Sequence, residues 1–117
     1  MLNEMTNLQS LLKDPSLLAT QGYLAGEWMN GEGGATFQVL NPARGDVVAN
    51  VADFSRAQTA DAIAKAEIAQ KLWAARTGKD RANILRRWYD LMMENADDLA
   101  TILTAEQGKP LAEAKGE

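Results

Sequence analysis

The chain has 117 residues, a formal net charge of −4 at pH 7, no cysteine and no histidine. This length suits one small domain or part of a larger one. The composition excludes a disulfide framework, a thiol nucleophile, a Cys/His metal cluster and a histidine general base within this span, and the mild acidity disfavours non-specific binding to nucleic acid or to an anionic membrane.

Residues 1–20 are predicted to form a leader, and residues 21–117 the body of the chain. The leucines of the leader indicate a short amphipathic helix interrupted at Asp14-Pro15. Either this is a loosely attached N-terminal helix, or its apolar stripe docks on a partner subunit. The leader lacks a basic segment and a continuous apolar core, and no apolar run in the chain is long enough to span a bilayer. We therefore expect a cytoplasmic location and no membrane partner.

Residues 21–52 are predicted to form short antiparallel hairpins. Residues 22–29 indicate one short strand, residues 36–40 a second strand and residues 47–52 a third. The glycine-rich loop at residues 30–34 leads from one strand to another, whereas phosphate-binding loops open a helix. We therefore interpret this loop as a hairpin turn and not as a phosphate cradle.

From residue 53 the pattern is helical. Ser55 and Gln58 form a capping-box sequence before an alanine-rich helix that reaches about residue 75. A second helix begins after Thr77, whose hydroxyl is a capping group. We expect the larger apolar residues of both helices to be anchors or a buried stripe: Ile63, Ile68, Leu72, Trp73, Leu85, Trp88, Tyr89 and Met92.

A third helix is predicted to begin at the cap residue Asn95, to bury Leu99, Ile102 and Leu103, and to end at Gly108. Pro110 then starts a further helix that has room for about two turns before the sequence stops. We interpret the chain as a truncated piece of a longer protein. The predicted fold class of the piece is α+β, with short antiparallel hairpins followed by three to four helices.

No complete active site is evident from the residues alone. The pair Asp97-Asp98 is explained by the helix dipole, which favours acids at a helix N-terminus. Glu113 and Glu117 are interpreted as solvated charges. The tryptophans Trp28, Trp73 and Trp88 are expected to pack in a core or an interface, because no basic groove beside them supports nucleic-acid stacking.

Five segments, in order, resemble the N-terminal part of the aldehyde dehydrogenase superfamily. They are residues 24–28 (LAGEW), 39–46 (VLNPARGD), 61–66 (DAIAKA), 81–88 (RANILRRW) and 106–110 (EQGKP). The run from residue 91 to 117 is most similar to succinate-semialdehyde dehydrogenases.

This resemblance implies an α/β parent enzyme, a homo-oligomer, that oxidises succinate semialdehyde to succinate with NAD or NADP. In the family a cysteine attacks the aldehyde, hydride passes to the nicotinamide, and a glutamate activates water. None of these residues is carried over to this chain, so we assign no catalytic and no cofactor-binding residue here. Residues 21–117 would be the N-terminal part of the cofactor-binding domain, inactive and without cofactor by itself.

The resemblance also implies one ligand site. Family members often hold a monovalent cation between a backbone carbonyl before the Asn-Pro turn and an acid of the EQGKP motif, which here are Leu40 and Glu106. Carbonyl and carboxylate oxygens are suitable ligands for a hard cation. The alternative is that Glu106 is an ordinary helix-end charge. For the whole chain, the alternatives are a stand-alone structural or interaction module descended from the enzyme, with uncovered helix faces as partner surfaces, and a broken reading frame.

Overall fold

A computed structural model describes residues 7–117. Within them, the fold is α+β, with short antiparallel hairpins followed by helices, as predicted. The elements are α1 (Asn7–Leu11), β1 (Gly22–Leu24), β2 (Glu27–Met29), β3 (Thr36–Leu40), β4 (Val47–Ala52), α2 (Arg56–Ala74), α3 (Gly78–Glu94), α4 (Ala96–Gln107) and α5 (Leu111–Ala114). None of these described helices combines the length and the apolar character that a membrane span requires.

The chain divides into two compact units. The first unit contains the leader up to residue 20, residues 36–51 and residues 95–117. The second unit contains residues 21–35 and 52–94. Each unit is therefore assembled from segments that are separated along the sequence.

The first unit has its core between the leader and β4. Leu8 and Leu12 are buried against Val48 and Ala49. Strands β3 and β4 form a two-stranded sheet, and α4 adds the half-buried Ile102 to this cluster. The leader breaks at Asp14-Pro15, as predicted, and continues as a short 3₁₀ turn. The expectation of a loosely attached leader is wrong, because two of its leucines are core residues.

The second unit begins with a hairpin where we predicted a single strand. Strands β1 and β2 pair in antiparallel register, with Tyr23 opposite Trp28. The chain reverses at Ala25 and Gly26, whose φ angles are 50° and 85°. Positive φ at both central residues is typical of the two-residue turns that join twisted strands. The turn escaped the sequence analysis because alanine rarely adopts positive φ.

Helices α2 and α3 begin with the predicted caps. The Ser55 side chain accepts a hydrogen bond from the Gln58 amide at 3.1 Å, and the Gln58 side chain accepts one from the Ser55 amide at 3.0 Å. At α3, the Thr77 hydroxyl accepts a hydrogen bond from the Asp80 amide at 3.1 Å. The capping box therefore closes reciprocally at α2, which satisfies amides that have no partner inside the helix.

The predicted burial of these two helices is wrong. No residue of α2 or α3 is buried, and Trp88 and Leu72 are 62% and 70% exposed. Trp28 is also exposed and stacks at a tilt on Tyr23, with ring centroids 5.0 Å apart. Trp73 is half-buried. The helical spacing of apolar residues identifies a face correctly, but burial requires a covering element, and the described residues do not supply one.

Helix α4 ends as predicted at Gly108, which adopts the left-handed conformation with φ 85°. Its start differs from the prediction, because Asn95 occupies the N-cap position without a side-chain capping hydrogen bond. Pro110 is the N-cap of α5 and precedes its first residue, Leu111.

Candidate functional site

The segment after β3 is a hydrogen-bonded turn in the first unit. The Asn41 amide donates to the Asp46 carbonyl at 2.9 Å, and the Gly45 amide donates to the Asn41 carbonyl at 2.7 Å. The Asn41 side-chain oxygen accepts from the Ala43 amide at 2.9 Å. Such local side-chain bonding is the reason that asparagine favours turns. The turn therefore fixes the backbone immediately after Leu40.

The end of α4 lies against this turn. A Cβ atom built on Gly108 would be 3.0 Å from Cγ of Pro42. Gly108 thus serves two purposes, since it provides the left-handed cap and also leaves room for the proline ring. The contact brings together the Asn41-Pro42 segment and the EQGKP segment, which are more than 60 residues apart in the sequence.

Each candidate cation ligand lies two residues before one partner of this contact, Leu40 before Pro42 and Glu106 before Gly108. Leu40 is the last residue of β3, and Glu106 is in the last turn of α4. Both are exposed. Among residues 7–117, the Glu106 carboxylate forms no ion pair, whereas Lys109 pairs with Glu117. Leu40 and Glu106 therefore belong to the two segments that the Gly108–Pro42 contact brings together.

An apolar cavity of about 320 Å³ lies beside the turn. Its walls come from the leader, the turn, α4 and α5: Leu8, Leu11, Asn41, Ala43, Arg44, Thr101, Thr104, Ala105, Gly108 and Leu111. The Thr104 hydroxyl is buried and has no hydrogen-bond partner among the described residues. The residues adjacent to both candidate ligands, Asn41 and Ala105, line this cavity.

Asp98 is a buried acid that the sequence analysis misread. It is only 6% exposed, and its two carboxylate oxygens accept the backbone amides of Asp14 and Lys13, each at 2.9 Å. The Asp14 amide, followed by the Lys13 amide, lowers the pKa of the Asp98 carboxyl, because hydrogen bonds to the charged form stabilise it. No local signal distinguishes Asp98 from Asp97, since its partners lie 84 and 85 residues earlier.

The residues of this region include neither a thiol nor an imidazole. The chain has no cysteine and no histidine. Within residues 7–117, no group of three or more acidic side chains converges as a metal site. Gly33 and Gly34 lie in a short 3₁₀ segment, Glu32–Gly34, between β2 and β3. These two strands belong to different sheets, so the prediction of a hairpin turn at residues 30–34 is wrong. The segment leads into a strand, whereas phosphate-binding loops open a helix.

Comparison with known proteins identifies relatives over most of the chain. The model of the aldehyde dehydrogenase family matches residues 28–117. The glutarate-semialdehyde dehydrogenase of Pseudomonas aeruginosa and the 3-sulfolactaldehyde dehydrogenase of Pseudomonas putida are each 52% identical over 106 residues, which is 91% of this chain and 22% of the relative. The succinate-semialdehyde dehydrogenase [NADP(+)] of Escherichia coli is 48% identical over the same shares of both chains.

The fold agrees with these sequence relatives. The crystal structure of succinate-semialdehyde dehydrogenase from Burkholderia pseudomallei superposes with a TM-score of 0.85 at 54% identity, over 91% of this chain and 22% of that one. The chain thus spans about a fifth of the length of the curated relatives it matches.

Proposed function

Because the chain belongs to the aldehyde dehydrogenase family, we propose that it is the N-terminal part of an NAD- or NADP-dependent enzyme that oxidises an aldehyde to a carboxylic acid. The observation that carries the proposal is the match over residues 28–117, supported by an identity near 50% to several semialdehyde dehydrogenases. The complete enzyme would be a homo-oligomer, by analogy with the family, and its expected location is the cytoplasm because the leader does not have the form of a secretory signal.

The proposed substrate is a small aldehyde with an anionic group at its other end, and within that class succinate semialdehyde. The names of the relatives include glutarate semialdehyde, 3-sulfolactaldehyde and succinate semialdehyde. All three molecules combine an aldehyde with a carboxylate or a sulfonate. The ratio of kcat/KM for the three aldehydes, measured on the enzyme from the complete gene, tests the choice among them.

In the proposed enzyme this chain has a structural role and supplies part of the fold. The oxidation needs a nucleophile and a bound nicotinamide, which supplies the hydride chemistry. The chain has no cysteine, and we expect it to supply neither of these. It contributes the two hairpins and the helices on which the rest of the fold is built.

We expect the 117-residue chain alone to be inactive. The purified chain, given succinate semialdehyde or glutarate semialdehyde with NAD or NADP, should produce no reduced nicotinamide above the enzyme-free rate. A semialdehyde dehydrogenase of full length, assayed in parallel, is the positive control. Turnover that scales with the concentration of the pure chain would contradict this prediction.

We also propose that the Leu40 carbonyl and the Glu106 carboxylate take part in a monovalent cation site of the complete enzyme. The close approach of Gly108 to Pro42 supports this pairing, and at least one further ligand would come from outside this chain. In the complete enzyme, K⁺ or Na⁺ should raise the melting temperature relative to tetramethylammonium at equal ionic strength. Glu106→Gln should abolish that rise, whereas the exposed control Glu113→Gln should keep it. An equal rise in both variants excludes Glu106 as a ligand.

A second candidate function is a stand-alone structural or interaction module derived from the enzyme. The exposed apolar residues of α2 and α3 favour it, because uncovered apolar faces mark interaction surfaces. Reading the source gene beyond the codon for Glu117 separates the two. A frame that continues to a cysteine nucleophile supports the enzyme, and an immediate stop codon with accumulation of the short protein supports the module.

A further inference from the structure

The carboxylate of Asp98 binds two backbone amides of the leader in the first unit. Oδ1 of Asp98 accepts the amide of Lys13 and Oδ2 accepts the amide of Asp14, both at 2.9 Å. Each oxygen therefore binds one of two consecutive backbone amides. Hydrogen bonds from amides to an ionised carboxylate are stronger than those between neutral groups.

The Asp98 side chain binds amides of the leader and not those of its own helix. Asp98 is the third residue of α4, where an acid ordinarily complements the unpaired amides and the dipole of its own helix. Its neighbour Asp97 follows the ordinary pattern of a surface acid, since it is exposed and pairs with Lys115 at 3.1 Å. Two adjacent aspartates thus have opposite environments, and only Asp98 contacts the leader.

The leader presents its two amides from a preorganised turn. The Asp14 carboxylate accepts hydrogen bonds from the Ser16 amide at 3.1 Å and from the Ser16 hydroxyl at 2.5 Å. Pro15 follows with a restricted φ and opens the 3₁₀ turn. Because this turn is held locally, the Lys13 and Asp14 amides are presented together and little chain entropy opposes their binding.

Docking of the leader supplies one wall of the apolar cavity, which is open to solvent on its other side. Leu8 and Leu11 of α1 form one wall, and Thr101, Thr104 and Ala105 of α4 form part of the opposite wall. The same docking buries Leu8 and Leu12 against β4. Undocking the leader would remove one wall of the cavity and expose both the core cluster and the interior face of α4.

We propose that residues 7–14 of the leader form a detachable wall of this cavity and that Asp98 is the latch that holds the wall in place. When the carboxylate loses its two amide donors, residues 7–14 detach and the cavity loses this wall, while α4 itself remains helical. The proposal depends on contacts within the first unit and not on the proposed dehydrogenase activity, so either can fail without the other.

Trypsin digestion of the 117-residue chain tests the latch. Trypsin cleaves after Lys13, and the backbone amides of Lys13 and Asp14, on the two sides of the Lys13 α-carbon, are the groups that bind Asp98. Asp98→Asn should accelerate cleavage at Lys13 roughly tenfold relative to cleavage at Lys71 in α2, since it removes the charge that strengthens both bonds. Asp97→Asn is the matched control and should leave the ratio unchanged. An unchanged ratio in Asp98→Asn, an equal rise in Asp97→Asn, or a uniform rise at all sites that signals global unfolding would overturn the proposal.

A single introduced thiol tests the detachment of residues 7–14 directly. The chain has no natural cysteine, so Ala105→Cys places a unique reporter in the cavity wall. With Asp98 intact, a thiol reagent should label it slowly, and adding Asp98→Asn should increase the labelling rate by a factor comparable to that for trypsin. Adding Asp97→Asn should not. Equal labelling rates in all three backgrounds would show that the leader does not cover position 105.

Discussion

Gly108 is constrained both by its backbone and by its neighbour. Its φ is 85°, and an added Cβ would approach Pro42 to 3.0 Å. Gly108→Ala should therefore lower the free energy of unfolding by about 1–2 kcal/mol. Alanine is strained in the left-handed conformation, and its Cβ would also crowd the Pro42 ring. Urea denaturation followed by circular dichroism measures the change.

The control for this prediction is Gly78→Ala, at the start of α3. No atom lies within 4 Å of a Cβ at Gly78, and its φ is not positive. Alanine is a better helix former than glycine by about 0.8–1.0 kcal/mol in a helix interior, so this variant should be neutral or more stable. Equal destabilisation by both substitutions would contradict the assignment of strain to Gly108.

Asp98 should make the first unit sensitive to acid. Its pKa lies below the ordinary value of 3.8 because the folded protein stabilises the charged form. Its contribution to stability is therefore complete above that ordinary value and is lost as the pH falls through the lowered pKa. Lys13 is the charged group whose attraction adds to this effect.

Urea denaturation between pH 6 and pH 2 measures the acid sensitivity. The wild-type chain should lose more stability over this range than Asp98→Asn, which has no carboxylate to protonate. Asp97→Asn should follow the wild-type curve more closely. Parallel curves for the wild type and Asp98→Asn would show that the Asp98 carboxylate does not stabilise the fold.

At the scale of elements, the capping box of α2 is the clearest local contribution to stability. Ser55→Ala should lower the free energy of unfolding by about 1 kcal/mol, because the Gln58 amide loses its acceptor. Thr59→Ala is the matched control, since the Thr59 hydroxyl only donates to the Ser55 carbonyl on an exposed face. Thermal denaturation monitored at the helical signal should shift for Ser55→Ala and hardly for Thr59→Ala, and the reverse order would refute the cap.

The elements that the sequence predicts well are those whose signals are local. Strands β3 and β4 and the caps at Ser55, Thr77 and Gly108 agree with prediction, because turn residues and capping residues act within a few positions. The β1–β2 turn was not predicted because Ala25 has a positive φ, which is rare for alanine. The proposed cation ligands Leu40 and Glu106 came from resemblance, and no local pattern indicates them.

Contacts between residues that are far apart in the sequence could not be predicted from local sequence patterns. Asp98 binds amides more than 80 residues away, and its local context, two acids in the first turn of a helix, has a sufficient explanation without that contact. The prediction of burial was wrong for a different reason, because residues expected to be buried are exposed. The apolar stripe of α3 has helical spacing, but spacing identifies a face and cannot say whether another element covers it.

For the whole molecule, the exposed apolar side chains of α3 predict self-association. Ile84, Leu85, Trp88, Tyr89 and Met92 are between 43% and 62% exposed, and such contiguous patches promote association in water. Sedimentation velocity of the 12.7 kDa chain should show species larger than the monomer as concentration rises. Trp88→Glu should shift the distribution toward monomer, and Lys79→Glu, at an exposed position of the same helix away from these residues, should not. A monomer at every concentration would contradict this prediction.

The discontinuous first unit also imposes an order of events on protein synthesis. The leader emerges from the ribosome first, but Asp98 lies 84 residues after Asp14. At roughly 5–20 residues per second, the leader waits on the order of several seconds for its acceptor to be made, and the whole second unit is translated in between. During the later part of that interval Leu8 and Leu12 have β4 but not Ile102 and Ala105 of α4 to pack against. A newly made chain therefore displays a short, incompletely covered leucine-rich segment to chaperones and proteases before α4 is made.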